Sequence, residues 1–218
     1  MRAFIIGSES DIAAGLSHFL NADGWSVHGW ARDKVLELVP WNIIIITLGR
    51  VAPVGKWMDN DPDEWDKCVE SNLLLPVRLL RRLWHKREAG ASVCFLAGSN
   101  PQKPMAGYSA YNASKMGLLK LVEQLDFETP EVKFFALGPG YVPTKIHKAT
   151  IDAGWKNERI ERGGGTPIRE IYNCLMWCIR QPREIIGGRN ICVSDMRVQR
   201  LEGKLMLNHS MFKLRRVE

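Results

Sequence analysis

The sequence lacks a hydrophobic run long enough to cross a bilayer. Its longest apolar run, NIIIITLG at residues 42–49, has eight residues, whereas a membrane-spanning helix needs about 20. The first residues have a strand pattern and lack the charged and apolar regions of a signal peptide. The sequence therefore predicts a cytoplasmic protein that binds no membrane.

Cysteine is scarce, with five in 218 residues, and an odd number cannot pair completely in disulfides. Two of them, Cys174 and Cys178, would share one face of a helix, but no histidine or second cysteine pair lies near them in the sequence. We therefore expect reduced, mostly buried thiols and no metal site. The five positions are Cys68, Cys94, Cys174, Cys178 and Cys192.

Acidic residues are outnumbered, with 24 Asp and Glu against 30 Lys and Arg and a net charge of +6. Residues 195–218 hold six Lys or Arg against three Asp or Glu, so half of the excess lies there. No nucleic-acid-binding motif accompanies this charge. We expect no nucleic-acid partner, and we treat residues 196–218 as a basic tail that is either solvated or an arm in an oligomer.

Six short runs of β-branched and aromatic residues alternate with segments of helical spacing. The runs are RAFIIG, WSVHGW, NIIIIT, SVCFLAG, VKFFALG and NICVSD. Helices are predicted over 11–22, with Asp11 as its cap, over 109–127 and 167–180, and in two segments within 63–88. Such alternation predicts an α/β fold, a doubly wound parallel sheet of the Rossmann type in a single domain.

One interval between predicted strands is unusually short. Only nine residues separate Arg32, near the end of the second strand, from Asn42 at the start of the third. A complete doubly wound half would place a helix, a strand and a second helix there. We therefore predict that the sheet lacks one strand and helix unit after the second strand.

The segment YSAYNASKMG places Tyr111 four residues before Lys115 on a predicted helix. Residues at this spacing project from one helix face about a turn apart. A nearby ammonium favours the phenolate, so Lys115 is expected to lower the pKa of Tyr111 towards the range useful for proton transfer. The pair predicts acid–base chemistry, although the spacing alone is common on solvated helices.

Five further segments surround this pair in a fixed order: GSESDIA at 7–13, ITLG at 46–49, SNLLLP at 71–76, SVCFLAGS at 92–99 and PGYVPT at 139–144. Together with Tyr111 and Lys115 they make the chain resemble the short-chain dehydrogenase/reductase family from Met1 to about Asp195. The resemblance implies a dinucleotide-binding domain over residues 1–195. It also implies reduction of a carbonyl, or oxidation of an alcohol, of a small molecule by hydride transfer.

The resemblance assigns roles to four residues. Tyr111 is the general acid for a carbonyl oxygen, Ser99 bonds the same oxygen, Lys115 holds the nicotinamide ribose, and Asn72 anchors a water chain that returns protons. The residues implied in cofactor binding are Gly7, Ser8, Ser10, Asp11, Ile12, Arg32, Thr47, Leu48, Gly49, Tyr111, Lys115, Pro139, Gly140, Val142 and Thr144.

Pro76 bears on the assignment of Asn72 independently of the family. In a helix the N–H of residue 76 would bond the carbonyl of residue 72, but proline has no N–H. The Asn72 carbonyl is therefore expected either to hold an ordered water of the proton relay or simply to mark a joint between two helices.

The end of the second strand, GWARD, bears on the choice of cofactor. Arg32 falls where an arginine accommodates a 2′-phosphate, and an acidic residue there would instead bind the ribose hydroxyls. We therefore predict NADP(H). In the alternative, Asp33 is the ribose ligand, Arg32 is a solvated loop residue, and the cofactor is NAD(H).

The chain also departs from the family pattern. The fingerprint Gly-x-Gly-x-x-Gly is absent, because Asp11 and Ala13 replace its second and third glycines. We expect Asp11 to turn inward to backbone N–H groups and to leave the amides of Ser8, Ser10 and Ile12 to the pyrophosphate.

Thr47 and Leu48 replace the usual Asn and Ala. Ser99 stands one residue closer to Tyr111 than is usual. Gly98 has the expected spacing, and Ser109 is a weaker substitute for the serine.

Residues 141–166 are predicted to form a substrate lid, of which 147–165 are charged and glycine-rich, typical of a mobile cover. Trp155 either closes on a ring-shaped substrate or anchors the lid by burial. The resemblance implies a homodimer or homotetramer. Two other functions stay open, a catalytically weak NADP-binding sensor or partner-binding protein, and an enzyme that modifies nucleotide sugars, although relatives of that last kind are longer.

Overall fold

Six parallel strands form one sheet in the order β2-β1-β3-β4-β5-β6. The computed structural model describes residues 1–98, 103–155 and 157–194. The strands are β1 (Arg2–Ile6), β2 (Ser26–Trp30), β3 (Trp41–Ile46), β4 (Arg87–Leu96), β5 (Lys133–Gly138) and β6 (Asn190–Cys192). Their order confirms the predicted doubly wound α/β sheet.

The helices of the described residues are α1 (Asp11–Ala22), α2 (Pro62–Val69), α3 (Leu75–Leu83), α4 (Ser109–Glu128), α5 (Lys148–Asp152), α6 (Glu158–Glu161), α7 (Ile168–Arg180) and α8 (Arg183–Ile186). A π-helical turn, Glu70–Leu74, joins α2 to α3. Short 3₁₀ turns cover Trp57–Asp59, Trp84–Lys86 and Lys145–His147. None of these helices combines the length and the apolar composition that a membrane span requires.

The sheet is covered on both faces because successive strand residues point to opposite sides. Ile43 and Ile45 pack with residues of α1 and α7, whereas Ile44 and Ile46 pack with residues of α3 and α4. All four side chains are buried. Burying such a side chain contributes about 1.5–3 kcal/mol, so β3 fixes the centre of the sheet. All five cysteines are buried free thiols, as predicted.

The connection from β2 to β3 contains neither helix nor strand, and β2 forms the edge of the sheet. The predicted loss of one strand and helix unit is therefore confirmed. Trp30 Nε1 donates to Lys34 O at 2.9 Å, and Leu36 is buried, so the connection packs against the sheet.

Two predicted boundaries were wrong. The helical segment predicted to end at residue 88 ends by Lys86, because β4 already begins at Arg87. The last predicted strand is shorter than its apolar run, since β6 ends at Cys192. Predicted residues 196–218 and Ser99 lie outside the described part of the chain.

Candidate active site

A cavity of about 610 Å³ opens at the carboxyl ends of β3, β4 and β5. The order in which successive strands are added to the sheet reverses between β1 and β3, which are neighbours although β2 lies between them in sequence. Ligands of open α/β sheets bind at such a switch point. The predicted site residues that line the cavity are Ile12, Thr47, Leu48, Gly49, Tyr111, Lys115, Pro139, Gly140, Val142 and Thr144.

Gly7 lies where the ends of β1 and β3 almost touch. Its φ is +95°, and a Cβ there would lie 2.8 Å from Thr47 Oγ1 and 3.0 Å from Leu48 N. Thr47 Oγ1 donates to Gly7 O at 2.8 Å and to Ile6 O at 3.1 Å. Thr47, which stands where the family usually has Asn, therefore fastens the two strand ends together, and only glycine fits at position 7.

The start of α1 differs from the expectation. Ser10, not Asp11, is the N-cap, and its Oγ accepts from Ala13 N at 3.1 Å. The amides of Ser8 and Ser10 donate to Trp30 O and Gly7 O, each at 3.0 Å. Both amides are therefore engaged with carbonyl oxygens in this structure, and their approach to a cofactor stays a prediction. The Ile12 amide belongs to the first turn, where a helix provides no carbonyl partner.

The Asp11 carboxylate does not turn to the amides of its own helix. Its Oδ2 accepts from Lys145 N at 2.9 Å, across the cleft between the loop after β1 and the loop after β5. Lys145 Nζ in turn donates to Glu9 O at 2.6 Å. Because α1 already has the Ser10 side chain as its cap, Asp11 is available for this contact between two loops.

Tyr111 and Lys115 lie one turn apart on α4, and both line the cavity. Lys115 is only 3% exposed, and its Nζ donates to Leu96 O at 2.9 Å and Leu48 O at 3.4 Å. The same Nζ lies 6.0 Å from the centre of the Tyr111 ring. The ammonium is thus held by the ends of β3 and β4, on the same side of α4 as the phenol.

Burial is the largest cause of the pKa shifts of both Lys115 and Tyr111. It lowers the pKa of Lys115 to about 8. Burial, with a smaller contribution from the nearby Cys68 thiol, raises the pKa of Tyr111 to about 12. The expected lowering of the Tyr111 pKa was therefore wrong for this structure, because desolvation of the phenolate is the largest cause of its shift.

Asn72 lies in the π-helical turn and is fully buried. Its Oδ1 accepts from Arg50 N at 2.7 Å, and its Nδ2 donates to Arg50 O and Ser114 Oγ, each at 2.9 Å. The side chain therefore joins the loop after β3 to α4 at Ser114, the residue directly before Lys115. The water on the Asn72 carbonyl stays a prediction.

The predicted serine, Ser99, lies outside the described residues. Gly98, which precedes it, lines the cavity. The weaker substitute, Ser109, accepts a hydrogen bond from Trp65 Nε1 at 3.1 Å. Ser109 is thus engaged with α2, and the position after Gly98 keeps the assignment as a prediction.

Arg32 and Asp33 follow the carboxyl end of β2, and both are exposed. Arg32 Nη2 donates to Ser71 Oγ at 3.2 Å, which directs the guanidinium towards the helical region after β3. Arg32, the residue of the NADP(H) alternative, and Asp33, the residue of the NAD(H) alternative, thus both lie at the edge of the sheet formed by β2.

The loop after β5 needs its glycine. Gly140 has a φ of +82°, and a Cβ there would lie 2.5 Å from Thr166 Oγ1. Thr166 N donates to Tyr141 O at 2.7 Å, so the two ends of the predicted lid lie side by side. Thr144 Oγ1 donates to Val142 O at 3.3 Å.

Two aromatic residues anchor the segment predicted as a lid, and the sequence reasoning missed one of them. Tyr108 is buried, its hydroxyl donates to Thr150 Oγ1, and it accepts from Asn157 Nδ2, each at 3.0 Å. Trp155 Nε1 donates to Ala106 O at 2.9 Å, which favours the anchoring role. The spacing of three residues between Tyr108 and Tyr111 could have indicated a shared cavity face.

A family model described as short chain dehydrogenase matches residues 42–154, just over half of the chain. The chain belongs to the short-chain dehydrogenase family. Among curated relatives, the short chain dehydrogenase adrF of Penicillium rubens is 24% identical over 151 residues, covering 61% of this chain and 59% of the fungal protein. Dehydrogenase/reductase SDR family member 4 of Oryctolagus cuniculus is 28% identical over 158 residues, covering 65% and 61%. The chain thus spans about three fifths of the length of these relatives.

Solved structures of the family share the fold. A small-chain dehydrogenase in complex with NADPH superposes with a TM-score of 0.76 at 19% identity, covering 88% of this chain and 95% of that one. A short chain dehydrogenase of Shigella flexneri complexed with NADP gives a TM-score of 0.74 at 13% identity, covering 88% and 96%. At these identities the likeness establishes the family's sheet and helix arrangement.

Proposed function

We propose that this chain is an NADPH-dependent oxidoreductase that reduces a carbonyl group, or oxidises an alcohol, of a small molecule. The observation that carries the proposal is the position of Tyr111 and Lys115 on one wall of the cavity at the switch point of the sheet. A phenol and an ammonium that share a largely apolar cavity have a use in proton transfer to an oxygen atom. Substrate pockets are typically apolar with a few convergent polar groups.

The residues around the cavity fit a nicotinamide dinucleotide. Gly7 has no room for a side chain, so backbone lies at the surface of the loop after β1. Ile12, on the first turn of α1, and Thr144, in the loop after β5, line the same cavity. The residues proposed to surround the dinucleotide are Gly7, Ser8, Ser10, Asp11, Ile12, Thr47, Leu48, Gly49, Pro139, Gly140, Val142 and Thr144.

Arg32 supports NADP(H) rather than NAD(H). Its guanidinium is exposed after the end of β2 and donates to a neutral hydroxyl, Ser71 Oγ. A planar guanidinium suits recognition of a 2′-phosphate. Relatives of similar fold are complexes with NADPH and NADP, which agrees with this choice.

A nicotinamide bound in the cavity would supply the hydride for the carbonyl carbon. Tyr111 then donates its hydroxyl proton to the carbonyl oxygen, so that the alcohol forms and the phenolate is left. Burial raises the pKa of Tyr111 to about 12, so the phenol carries its proton near neutral pH and well above it. The Lys115 ammonium stabilises the phenolate as it forms, and Ser99 is proposed to bond the same oxygen. Asn72 is proposed to position the route by which a proton returns.

The remaining assignments are proposals of the same kind. Residues 1–195 form the NADP-binding domain, with the lid over residues 141–166. The tail over residues 196–218 is proposed as an arm of a homodimer or homotetramer, which is the usual assembly in the family.

Replacing Tyr111 by Phe tests the proposal. The variant should lose at least about 100-fold in kcat while its NADPH affinity changes little, because the ring stays and only the acidic proton is removed. NADPH oxidation is measured against a panel of carbonyl compounds that includes pterins and keto-sugars. The matched control is Tyr172→Phe, which removes a phenol hydroxyl bonded to Asp23, on α7.

Three outcomes would contradict the proposal in different ways. A Tyr111→Phe protein that oxidises NADPH as fast as the parent would refute the role of Tyr111. A parent that binds NADPH but reduces no compound of the panel would favour the sensor or partner-binding alternative. Purified protein that carries tightly bound NAD would favour a nucleotide-sugar enzyme.

A further inference from the structure

Asp11 and Lys145 form a bridge between the two loops that flank the cavity. Asp11 Oδ2 accepts from Lys145 N at 2.9 Å, and Lys145 Nζ donates to Glu9 O at 2.6 Å. The bridge joins residues that are 134 and 136 positions apart in sequence. It therefore ties the start of α1 to the start of the lid by two hydrogen bonds, one of which carries a carboxylate and one an ammonium.

The bridge lies at the edge of the cavity. Ile12, the neighbour of Asp11, lines the cavity, and so do Thr144 and Ile146, the neighbours of Lys145. Both partners are thus chain neighbours of residues that line the cavity.

The first turn of α1 favours an anion, since its free N–H groups and the helix dipole are positive there. In this chain the Asp11 carboxylate already supplies a negative charge to that turn. The amides of Ser8 and Ser10, which precede it, are engaged with Trp30 O and Gly7 O. The loop after β1 therefore presents few uncommitted donors and one fixed carboxylate to any phosphate.

We propose that Asp11 limits the affinity for the dinucleotide, because its carboxylate occupies the place of a phosphate and holds the cleft closed through Lys145. The proposal rests on the proposed function, since it assumes that the cleft takes a nicotinamide dinucleotide. Binding then requires that the Asp11 to Lys145 N bond open. When it opens, the Lys145 amide and ammonium become available to the incoming pyrophosphate.

The charge and the hydrogen bond of Asp11 can be separated by substitution. Asp11→Asn keeps an acceptor of similar size and removes the charge, whereas Asp11→Ala removes both. Two anions a few ångströms apart near a protein surface repel enough to change affinity about tenfold. Glu9 offers the matched control, because it carries the same charge in the same loop, is exposed, and contributes only its backbone carbonyl to the bridge.

The experiment measures NADPH binding to the purified full chain by fluorescence titration, and the association rate by stopped flow. Asp11→Ala should lower the Kd for NADPH about tenfold, mainly through faster association, and Asp11→Asn should give part of that gain. Glu9→Gln should change the Kd by less than about twofold. Thermal melting without nucleotide shows that each variant is folded.

The outcomes separate this inference from the proposed function. If the parent binds NADPH and Asp11→Ala binds it equally or more weakly, Asp11 does not compete with the cofactor and the inference is overturned while the function stands. If neither the parent nor either Asp11 variant binds NADPH or NADH at millimolar concentration, both fail. Binding that appears only in the Asp11 variants would support both.

Discussion

Replacing Gly7 by Ala should cost far more stability than an ordinary substitution in a loop. The φ of +95° puts the new Cβ in a conformation that L residues rarely adopt. The same Cβ would lie 2.8 Å from Thr47 Oγ1 and 3.0 Å from Leu48 N, and the second of these is backbone that cannot rotate away. We therefore expect two separate costs at this one position.

Gly24 supplies the measure of the first cost alone. Its φ is +78°, and a Cβ there meets nothing within 4 Å. Gly24→Ala should therefore lower the free energy of unfolding by about 1 kcal/mol, the conformational cost of a left-handed alanine. Gly7→Ala adds crowding, which typically costs about 1–3 kcal/mol, for a total of about 3 kcal/mol.

Urea unfolding of the parent and the two variants measures this difference from the transition midpoints and slopes. A further pair of variants, Thr47→Ala alone and Thr47→Ala with Gly7→Ala, measures the cost of Gly7→Ala without the Thr47 hydroxyl. Removing Oγ1 should reduce the extra cost of Gly7→Ala by about 1 kcal/mol, since contacting residues do not add independently. If Gly7→Ala costs no more than Gly24→Ala, the close approach of the ends of β1 and β3 is wrong.

Three further predictions concern the candidate site. Burial lowers the pKa of Lys115 to about 8, while Tyr111 stays protonated. Because the Lys115 ammonium loses its proton as pH rises through about 8, kcat for carbonyl reduction should fall over that range. A kcat profile that is flat to about pH 9.5 would contradict this. Arg32→Ala should raise the KM for NADPH about tenfold and leave that for NADH unchanged; an unchanged preference would return the assignment to Asp33. Trp155→Phe removes the bond to Ala106 O, worth about 1 kcal/mol, and should speed proteolytic cleavage in the lid about fivefold, whereas equal rates would show that this bond does not hold the lid.

Much of the fold could be predicted because its signals are local. The run of four isoleucines from Ile43 to Ile46 predicts a strand buried on both faces, and the sheet buries all four. The nine residues between Arg32 and Asn42 cannot hold a helix and a strand, so the missing unit followed from a count. Element ends were less certain, as at Arg87, because pairing with neighbouring strands extends β4 beyond its apolar run.

The candidate site likewise has features that the sequence predicts and features that depend on the tertiary structure. Tyr111 and Lys115 share a helix face by their spacing alone, and that placement needs no tertiary information. The direction of their pKa shifts does, because it depends on how far the surrounding strands and loops exclude water from each group. The role of Tyr108 likewise depends on Thr150 and Asn157, which lie more than 40 residues away in sequence.

The sequence by itself determined the parallel α/β sheet, its shortened side and the pair of residues on α4, because hydrophobic period, chain length and helical spacing act over a few residues. Only the tertiary structure decided what Asp11 does. Sequence rules offered the amides of its own helix, but Ser10 already caps that helix, and the carboxylate instead bonds Lys145 N from the far side of the cleft. Such a choice between partners depends on which groups the fold brings within hydrogen-bonding distance, and no local pattern encodes it.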